Sequence, residues 1–353
     1  MTPTIDTNLH PLGTHRVLEP AGAMPQSAFR LDNTPIAHAN EILCEVEVLN
    51  IDSASFKQIF DVESGDATRI GEHVARIVAQ RGKQHNPVTG SGGMFIGRVL
   101  AVGERLCGEV ELQVGDRIAS LVSLTLTPLH IRKVTRVCTK TGRVWIEGSA
   151  ILFERSLWAK LPLDIDENVA LAVLDVAGAP AQVARLCKPG QSVVVIGADG
   201  KSGMLSCAHA KRVVGANGRV IGVAPSADTE AARLLQSEGF VDTFVVADAR
   251  DTLGVSGQIE ALLPELADVV INCVNVPGTE LASILCTKED GTLYFFSMST
   301  SFTAAALGAE GAAKDITMIV GNGYARDHAE IALQTLRDFP AIHAYFNAKY
   351  ARS

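Results

Sequence analysis

The chain has 353 residues, 47% of them hydrophobic and 20% charged, which is enough apolar material for two domains and excludes wholesale disorder. Thirty-one Lys and Arg stand against 39 Asp and Glu, a net charge of -8. Without any block of positive charge, that balance argues against a nucleic-acid or anionic-membrane partner. No apolar stretch reaches the roughly 18–20 residues of a membrane span before Asp or Gly interrupts it. The first residues, MTPTIDTNLHP, lack the basic start and apolar centre of a secretory signal. Seven scattered Cys with no C-x-x-C pair fit reduced thiols in a cytoplasmic protein better than a disulfide framework or a thiolate zinc lobe.

In chain order, EILCEVEVLNI at 41–51 mixes apolar and acidic positions at nearly period two, a strand with one wet face. Residues 62–81 carry scattered charges without a strong period and read as a helical or irregular insertion. GMFIGRVLAVGERL and VGDRIASLVSLTL predict further strands, with Val114, Gly115 and Asp116 turning between them. The first 165 residues therefore read as a mainly antiparallel β domain. From Glu167, VALAVLDVAGAPAQVARL predicts one buried helix that stops before Lys188-Pro189-Gly190. Then SVVVIG, RVIGVA, FVVA, DVVINCV and TLYFFSM predict strands without alternation, as when helices cover both faces. SGMLSCAHAKRVVG, TEAARLLQSEG and IEALLPEL between them read as helices. Such alternation means a doubly wound parallel α/β sheet over residues 166–324. ITMIVGNG adds a strand, and the helix HAEIALQTLRDF is expected to pack, with residues 325–353, back on the first domain.

The loop VVVIGADGKSG at 193–203 leaves a buried strand and opens a helix, the context of a dinucleotide site. There Gly197 would make the tight turn, Gly200 would let a pyrophosphate approach the backbone, and Gly203 would let helix and strand pack closely. Free N–H groups at the helix start suit the phosphates, with Lys201 and Ser202 as further contacts. Gly200-Lys201-Ser202 also ends like a triphosphatase loop, but the first glycine of that motif would fall on Val195, inside the strand. RVIGVAPSAD offers no carboxylate immediately after the second strand, only Ser226, so the loop admits either NAD or NADP.

The β-rich first half, the phrase GMFIGRVLAVGERLCGEVELQVGDRIASL and the nucleotide domain together resemble the medium-chain dehydrogenase/reductase superfamily. Within it, LNIDSASF, SLTLTPL, LDVAGAPAQ, GADGKSGM, CVNVPGT and FFSMSTSF are similar to the 3,5-diaminohexanoate dehydrogenases of bacterial lysine fermentation. The resemblance implies a Rossmann domain plus a GroES-like domain, oxidation of a diamino acid to a keto acid and ammonia by a nicotinamide cofactor, and a homodimer. Where zinc-dependent superfamily members hold metal ligands, this chain has Asp52, Gly92-Gly93-Met94 and the neighbourhood of Val176, so no catalytic zinc is expected. An amine turns cationic as hydride leaves, which suits an anion at Asp52 as the base. Asp175 and Glu154 are candidates to hold the substrate's ammonium groups, and Ser53, Ser123 and Thr125 to orient it. Val274, Asn275 and Ser297, after later strands, are expected to line the nicotinamide pocket. The competing expectation is a zinc-free quinone or enone reductase.

Overall fold

The computed structural model describes residues 9–297, 299–321 and 323–351, with the side chain of Ser53 left out. The chain divides into two compact units, Met1–Leu163 and Asp164–Ser353.

In the first unit, β1 (Val17–Glu19) and β2 (Arg30–Leu31) form a small antiparallel pair. The main sheet comprises β3 (Glu41–Asn50), β4 (Met94–Val102), β5 (Arg117–Ser120), β6 (Leu129–Cys138), β7 (Arg143–Phe153) and β8 (Trp158–Lys160). It is antiparallel, in the order β6-β7-β3-β4-β5-β8. In β3, Ile42, Cys44, Val46 and Val48 are buried while Leu43, Glu45 and Glu47 are wetter, the expected period of two. After β3 come α1 (Ser53–Val62) and α2 (Ala67–Arg81). The stretch expected to be helical or irregular is thus largely a regular helix. Asp66 caps α2 by accepting from the Arg69 N–H, Ile70, Val74, Ile77 and Val78 line its buried face, and left-handed Gly82 ends it. The β6–β7 hairpin was not anticipated, because LHIRKVTRVC is basic and lies largely on a wet face; Arg136 stacks over the Trp145 ring there. The strand expected to run through VSLTL stops at Ser120. Beyond it Thr125 N–H donates to Ser123 Oγ and Thr127 Oγ1 to the Ser123 carbonyl, side-chain bonds that replace a ladder.

The second unit carries α3 (Glu167–Leu174), α4 (Gly178–Leu186), β9 (Ser192–Ile196), α5 (Lys201–Val214), β10 (Arg219–Ala224), α6 (Glu230–Ser237) and β11 (Thr243–Val246). It continues with α7 (Thr252–Leu262), β12 (Ala267–Asn272), α8 (Glu280–Cys286), β13 (Thr287–Phe295), α9 (Phe302–Gly311), β14 (Thr317–Val320), α10 (His328–Asp338) and α11 (Pro340–Tyr350). All pairings in its sheet are parallel, in the order β11-β10-β9-β12-β13-β14. This is the doubly wound order whose switch point lies between β9 and β12. Val193, Val194, Val195 and Ile196 are all fully buried, which explains a strand without alternation.

Two expectations are corrected. The single helix over 167–186 is two helices inclined at 52°, with Pro180 inside the first turn of the second, where its missing N–H costs nothing. The C-terminal helices belong to the second unit, not the first. His209 on α5 meets Thr335 on α10 at 2.6 Å, and Arg212 reaches Asp338 at 2.6 Å. The apolar stripe Ala332, Leu333 and Leu336 announces a buried face without saying which domain covers it. Among the described residues no single helix is long and apolar enough to cross a membrane.

Candidate active site

Asp52 follows β3 directly and is the N-cap of α1. Its Oδ1 accepts from the Ser55 N–H at 2.9 Å, while its Oδ2 is buried with no hydrogen-bond partner among the described residues. The next strand approaches through two glycines. Gly93 has φ +97°, and a Cβ on it would lie 2.1 Å from the Asn50 carbonyl and 2.8 Å from the Asp52 nitrogen. A Cβ on Gly92 would lie 2.3 Å from the Gln84 carbonyl and 3.1 Å from the Thr125 nitrogen. Both positions require glycine because backbones meet there. Leu124 N–H donates to the Gly93 carbonyl, which brings the Ser123–Thr125 turn to the same place. Thr125 is fully buried, its hydroxyl 2.8 Å from Gln26 Oε1 and 2.9 Å from Ser123 Oγ, so it braces the turn and leaves Ser123 as its outer hydroxyl. Ser53 begins α1 beside Asp52, and its side chain lies outside the described residues. Among the described residues no three His, Cys, Asp or Glu side chains converge as a metal site requires.

In the second unit two of the three glycines have structural work of their own. Gly197 turns with φ +84°. A Cβ on Gly203 would fall 2.0 Å from the Gly197 carbonyl oxygen, whereas one on Gly200 would meet nothing nearer than that oxygen at 3.5 Å. The space in front of Gly200 is thus open although no packing demands it. No side chain caps α5, so its first N–H groups remain available to an anion. An open groove of about 630 Å³ runs from this loop along Val223, Ala224 and Pro225 to Ala247–Arg250, with Val274 and Val276 on its other wall. These residues fit a dinucleotide, with phosphates at the glycines and an apolar slot for the adenine end. Ser226 accepts from the Asp228 N–H within the turn after β10. Asn275 is exposed after β12, its Oδ1 accepting from Ser299 Oγ at 3.0 Å and Ser297 Oγ at 3.4 Å. Val274, Asn275 and Ser297 thus gather at the carboxyl edge of β12 and β13.

Comparison with known proteins supplies the family. Residues 15–162 match the model of the L-erythro-3,5-diaminohexanoate dehydrogenase N-terminal domain. A protein of Acetoanaerobium sticklandii named L-erythro-3,5-diaminohexanoate dehydrogenase is 50% identical over 345 residues, covering 96% of this chain and 98% of that one. Its namesake in Fusobacterium nucleatum is 53% identical over 339 residues, covering 96% and 98%. The chain belongs to the L-erythro-3,5-diaminohexanoate dehydrogenase family. Its fold is shared with the CurK enoyl reductase (TM-score 0.52, 15% identity, 90% of this chain and 80% of that one). It is shared too with a mycobacterial protein solved as an NADPH complex (TM-score 0.53, 18% identity, 88% and 83%). The expected Rossmann sheet with a β-rich companion domain is therefore present, and the chain is an oxidoreductase by family.

For this dehydrogenase, three sequence-based assignments need revision. Asp175 is the C-cap of α3, and its Oδ2 lies 2.6 Å from Lys201 Nζ. Each already neutralises the other, which weakens both Asp175 as an ammonium holder and Lys201 as a phosphate ligand. Glu154 follows Phe153, which pairs with Glu41 at the start of β3, whereas Asp52 lies beyond its far end. At about 3.3 Å per residue, roughly 30 Å of strand separates the two carboxylates, so Glu154 does not share a site with Asp52. Ser202 remains at the start of α5, nearly buried and within reach of Cys273.

Sequence reasoning missed several residues. Asn272, fully buried at the end of β12, donates to Thr279 Oγ1 and Ser283 Oγ and accepts from the Val274 N–H, so it sets the loop that carries Val274 and Asn275. An Asn closing the apolar run DVVIN was its only signal. Arg250 lines the groove beside the glycine loop with its guanidinium on Asp248, whose carboxyl it holds down at about 2 by hydrogen bonding. In the first unit, buried Lys83 donates to the Pro25 and Gln26 carbonyls, and burial pushes its pKa down to about 8. Next to it, burial and then the charges of Lys83 and Arg81 push His85 down to about 4.

Proposed function

We propose that this enzyme oxidises L-erythro-3,5-diaminohexanoate at its 3-amino carbon, giving 5-amino-3-oxohexanoate, ammonia and one reduced nicotinamide cofactor per turn. Membership of the family carries the substrate; the observation that carries the chemistry is Asp52, a carboxylate anchored by one oxygen with the other buried and unpaired. The cofactor, when bound, accepts the hydride. Gly197, Gly200, Gly203, the N–H groups opening α5 and Ser202 would hold its phosphates, Ser226 a ribose, and Val274, Asn275 and Ser297 the nicotinamide side.

Asp52 takes a proton from the substrate's 3-ammonium, freeing the nitrogen lone pair that must drive hydride out. Once Asp52 has passed that proton on to solvent water, its restored anion stabilises the positive charge that grows on nitrogen as the C=N bond forms, where a cation would oppose it. A water then adds to the iminium carbon and gives a proton to the Asp52 carboxylate, which returns it to nitrogen, and ammonia leaves as the carbonyl forms, carrying the hydroxyl proton with it as ammonium. Ser123 is a hydroxyl on the turn beside Gly93, able to orient substrate or water. Either NAD or NADP suits the groove: no carboxylate follows β10 to repel a 2′-phosphate, and Arg250 is committed to Asp248 rather than free for one. A homodimer in the cytoplasm completes the reading, supported by the superfamily resemblance and by seven free cysteines.

The test is direct: absorbance of reduced cofactor on mixing the protein with 3,5-diaminohexanoate and NAD or NADP, with ammonia measured in parallel. Cofactor reduction matched one-for-one by ammonia is expected. Activity on enones and none on the diamine would overturn the proposal in favour of an enone reductase.

A further inference from the structure

The loop between α2 and β4 carries hydrogen-bonding groups that the fold leaves unused. Gln84 is fully buried, yet neither its Oε1 nor its Nε2 finds a partner among the described residues. The adjacent His85 is half-buried, with Nδ1 shielded and likewise unpartnered. A buried carboxamide with both ends idle is rare in a folded protein, because an apolar residue of the same shape is cheaper to bury. Idle groups of this kind mark a place where something other than the chain supplies the partner.

The location is specific. Ser55, whose N–H binds Asp52 Oδ1, also binds Ser91 Oγ at 2.8 Å and Thr89 Oγ1 at 2.6 Å through its hydroxyl. Its carbonyl accepts from Asn86 Nδ2 at 3.4 Å, and Asn86 N–H donates to the Ser91 carbonyl. The loop is thereby stapled to the start of α1, and Gly92 and Gly93 place the Gln84 and Asp52 backbones on either side of a single dipeptide. Asp52 Oδ2, Gln84 and His85 Nδ1 are thus three unused groups on backbone held together by one network.

Their chemistry is mostly that of acceptors. The Asp52 oxygen and Gln84 Oε1 only accept, and His85, neutral at working pH because burial holds its pKa near 4, can accept at Nδ1 as the Nε2–H tautomer, leaving Gln84 Nε2 as the single idle donor in the cluster. Three acceptors on one loop cluster call for a ligand rich in N–H donors. A diamino acid has two ammonium groups, and Asp52 meets one of them in the reaction proposed above.

We propose that Gln84 and His85 hold the second, non-reacting ammonium of the substrate and so make the enzyme selective for a diamine over a monoamine. The inference rests on the reading of Asp52 as the group facing the reacting amine. It makes Gln84 and His85 specificity-determining residues with no part in proton or hydride transfer.

The experiment compares 3,5-diaminohexanoate with 3-aminohexanoate, which lacks only the second amine, in the wild type, Gln84→Met and His85→Phe. The wild type should favour the diamine. Gln84→Met should lose tenfold or more in kcat/KM on the diamine, mainly through KM, while its rate on the monoamine stays within about twofold, so the preference collapses. His85→Phe, at a half-buried position that tolerates change, should shift the preference in the same direction and decides the matter if Gln84→Met does not fold. Equal losses on both substrates, or an unchanged preference in the variants, overturn the proposal. A wild type inactive on the diamine overturns the parent reading as well, and that is seen before any variant is made.

Discussion

Alanine at Gly200 and at Gly203 separates a glycine kept for a ligand from one kept for packing. At Gly203 a Cβ would sit 2.0 Å from the Gly197 carbonyl oxygen and 2.7 Å from the Ala198 Cα, both backbone atoms that cannot swing aside. Overpacking of this kind costs on the order of 3 kcal/mol, which in a unit of this size lowers Tm by roughly 6–12 °C. At Gly200 the nearest atom is 3.5 Å away, and φ of -80° suits alanine. The cost there is the poorer N-cap, about 1 kcal/mol or less and so at most roughly 4 °C. Cofactor is a different matter, because the methyl group would occupy the surface against which we propose the pyrophosphate lies. We expect Gly200→Ala to raise the dissociation constant of NAD(H) or NADP(H) at least tenfold, about 1.4 kcal/mol, while Gly203→Ala loses both stability and binding. Thermal denaturation with and without cofactor, beside calorimetric titration, gives both quantities. Wild-type affinity in Gly200→Ala would refute placement of the phosphates at this loop, and an undiminished Tm in Gly203→Ala would refute the packing argument.

Two further predictions follow from positions in the fold. Asp52→Asn keeps an oxygen for the Ser55 N–H and hence the cap of α1, so Tm should hold within a few degrees while kcat falls by about 10²–10⁴; Glu154→Gln, at the other end of β3, should leave kcat within about twofold. Steady-state kinetics on the two variants decides, and equal effects would remove the distinction between the carboxylates. His209 is fully buried against Thr335, and burial, then Arg212, push its pKa from 6.5 down to about 4. The folded state therefore disfavours its protonated form: the contribution is complete above pH 6.5, fades as pH falls towards 4, and amounts to about 3 kcal/mol at most. His209→Gln should flatten the urea-measured stability between pH 7 and 4.5, leaving the share of other histidines such as His85; an unchanged slope would count against the assignment.

The parallel sheet was legible because its strands are buried on both faces and its glycines occupy a fixed offset between strand and helix. Asp52 was singled out by position, as an acid where the superfamily resemblance implies a metal ligand in zinc-dependent members, and its place as N-cap of α1 with one oxygen idle became visible only in the fold. Glu154 and Asp175 misled, since a carboxylate in sequence carries no sign of whether Lys201 neutralises it or a whole strand separates it from its intended partner. The C-terminal helices were misassigned for a similar reason: an apolar stripe states that a face is covered, and only the contacts of His209 and Arg212 say by what. Gln84 and His85 gave no signal, because idle hydrogen bonds exist only once the chain has folded around them.

Tethering Asp52 to the Ser55 amide has a consequence for its proposed role as the base. A freely rotating carboxylate presents its two oxygens interchangeably and must settle before it can take a proton. Here the helix start holds one oxygen in place, which fixes the direction of the other before any molecule arrives. The rotational freedom a flexible base surrenders at each turnover has already been given up, once, when the first unit folded.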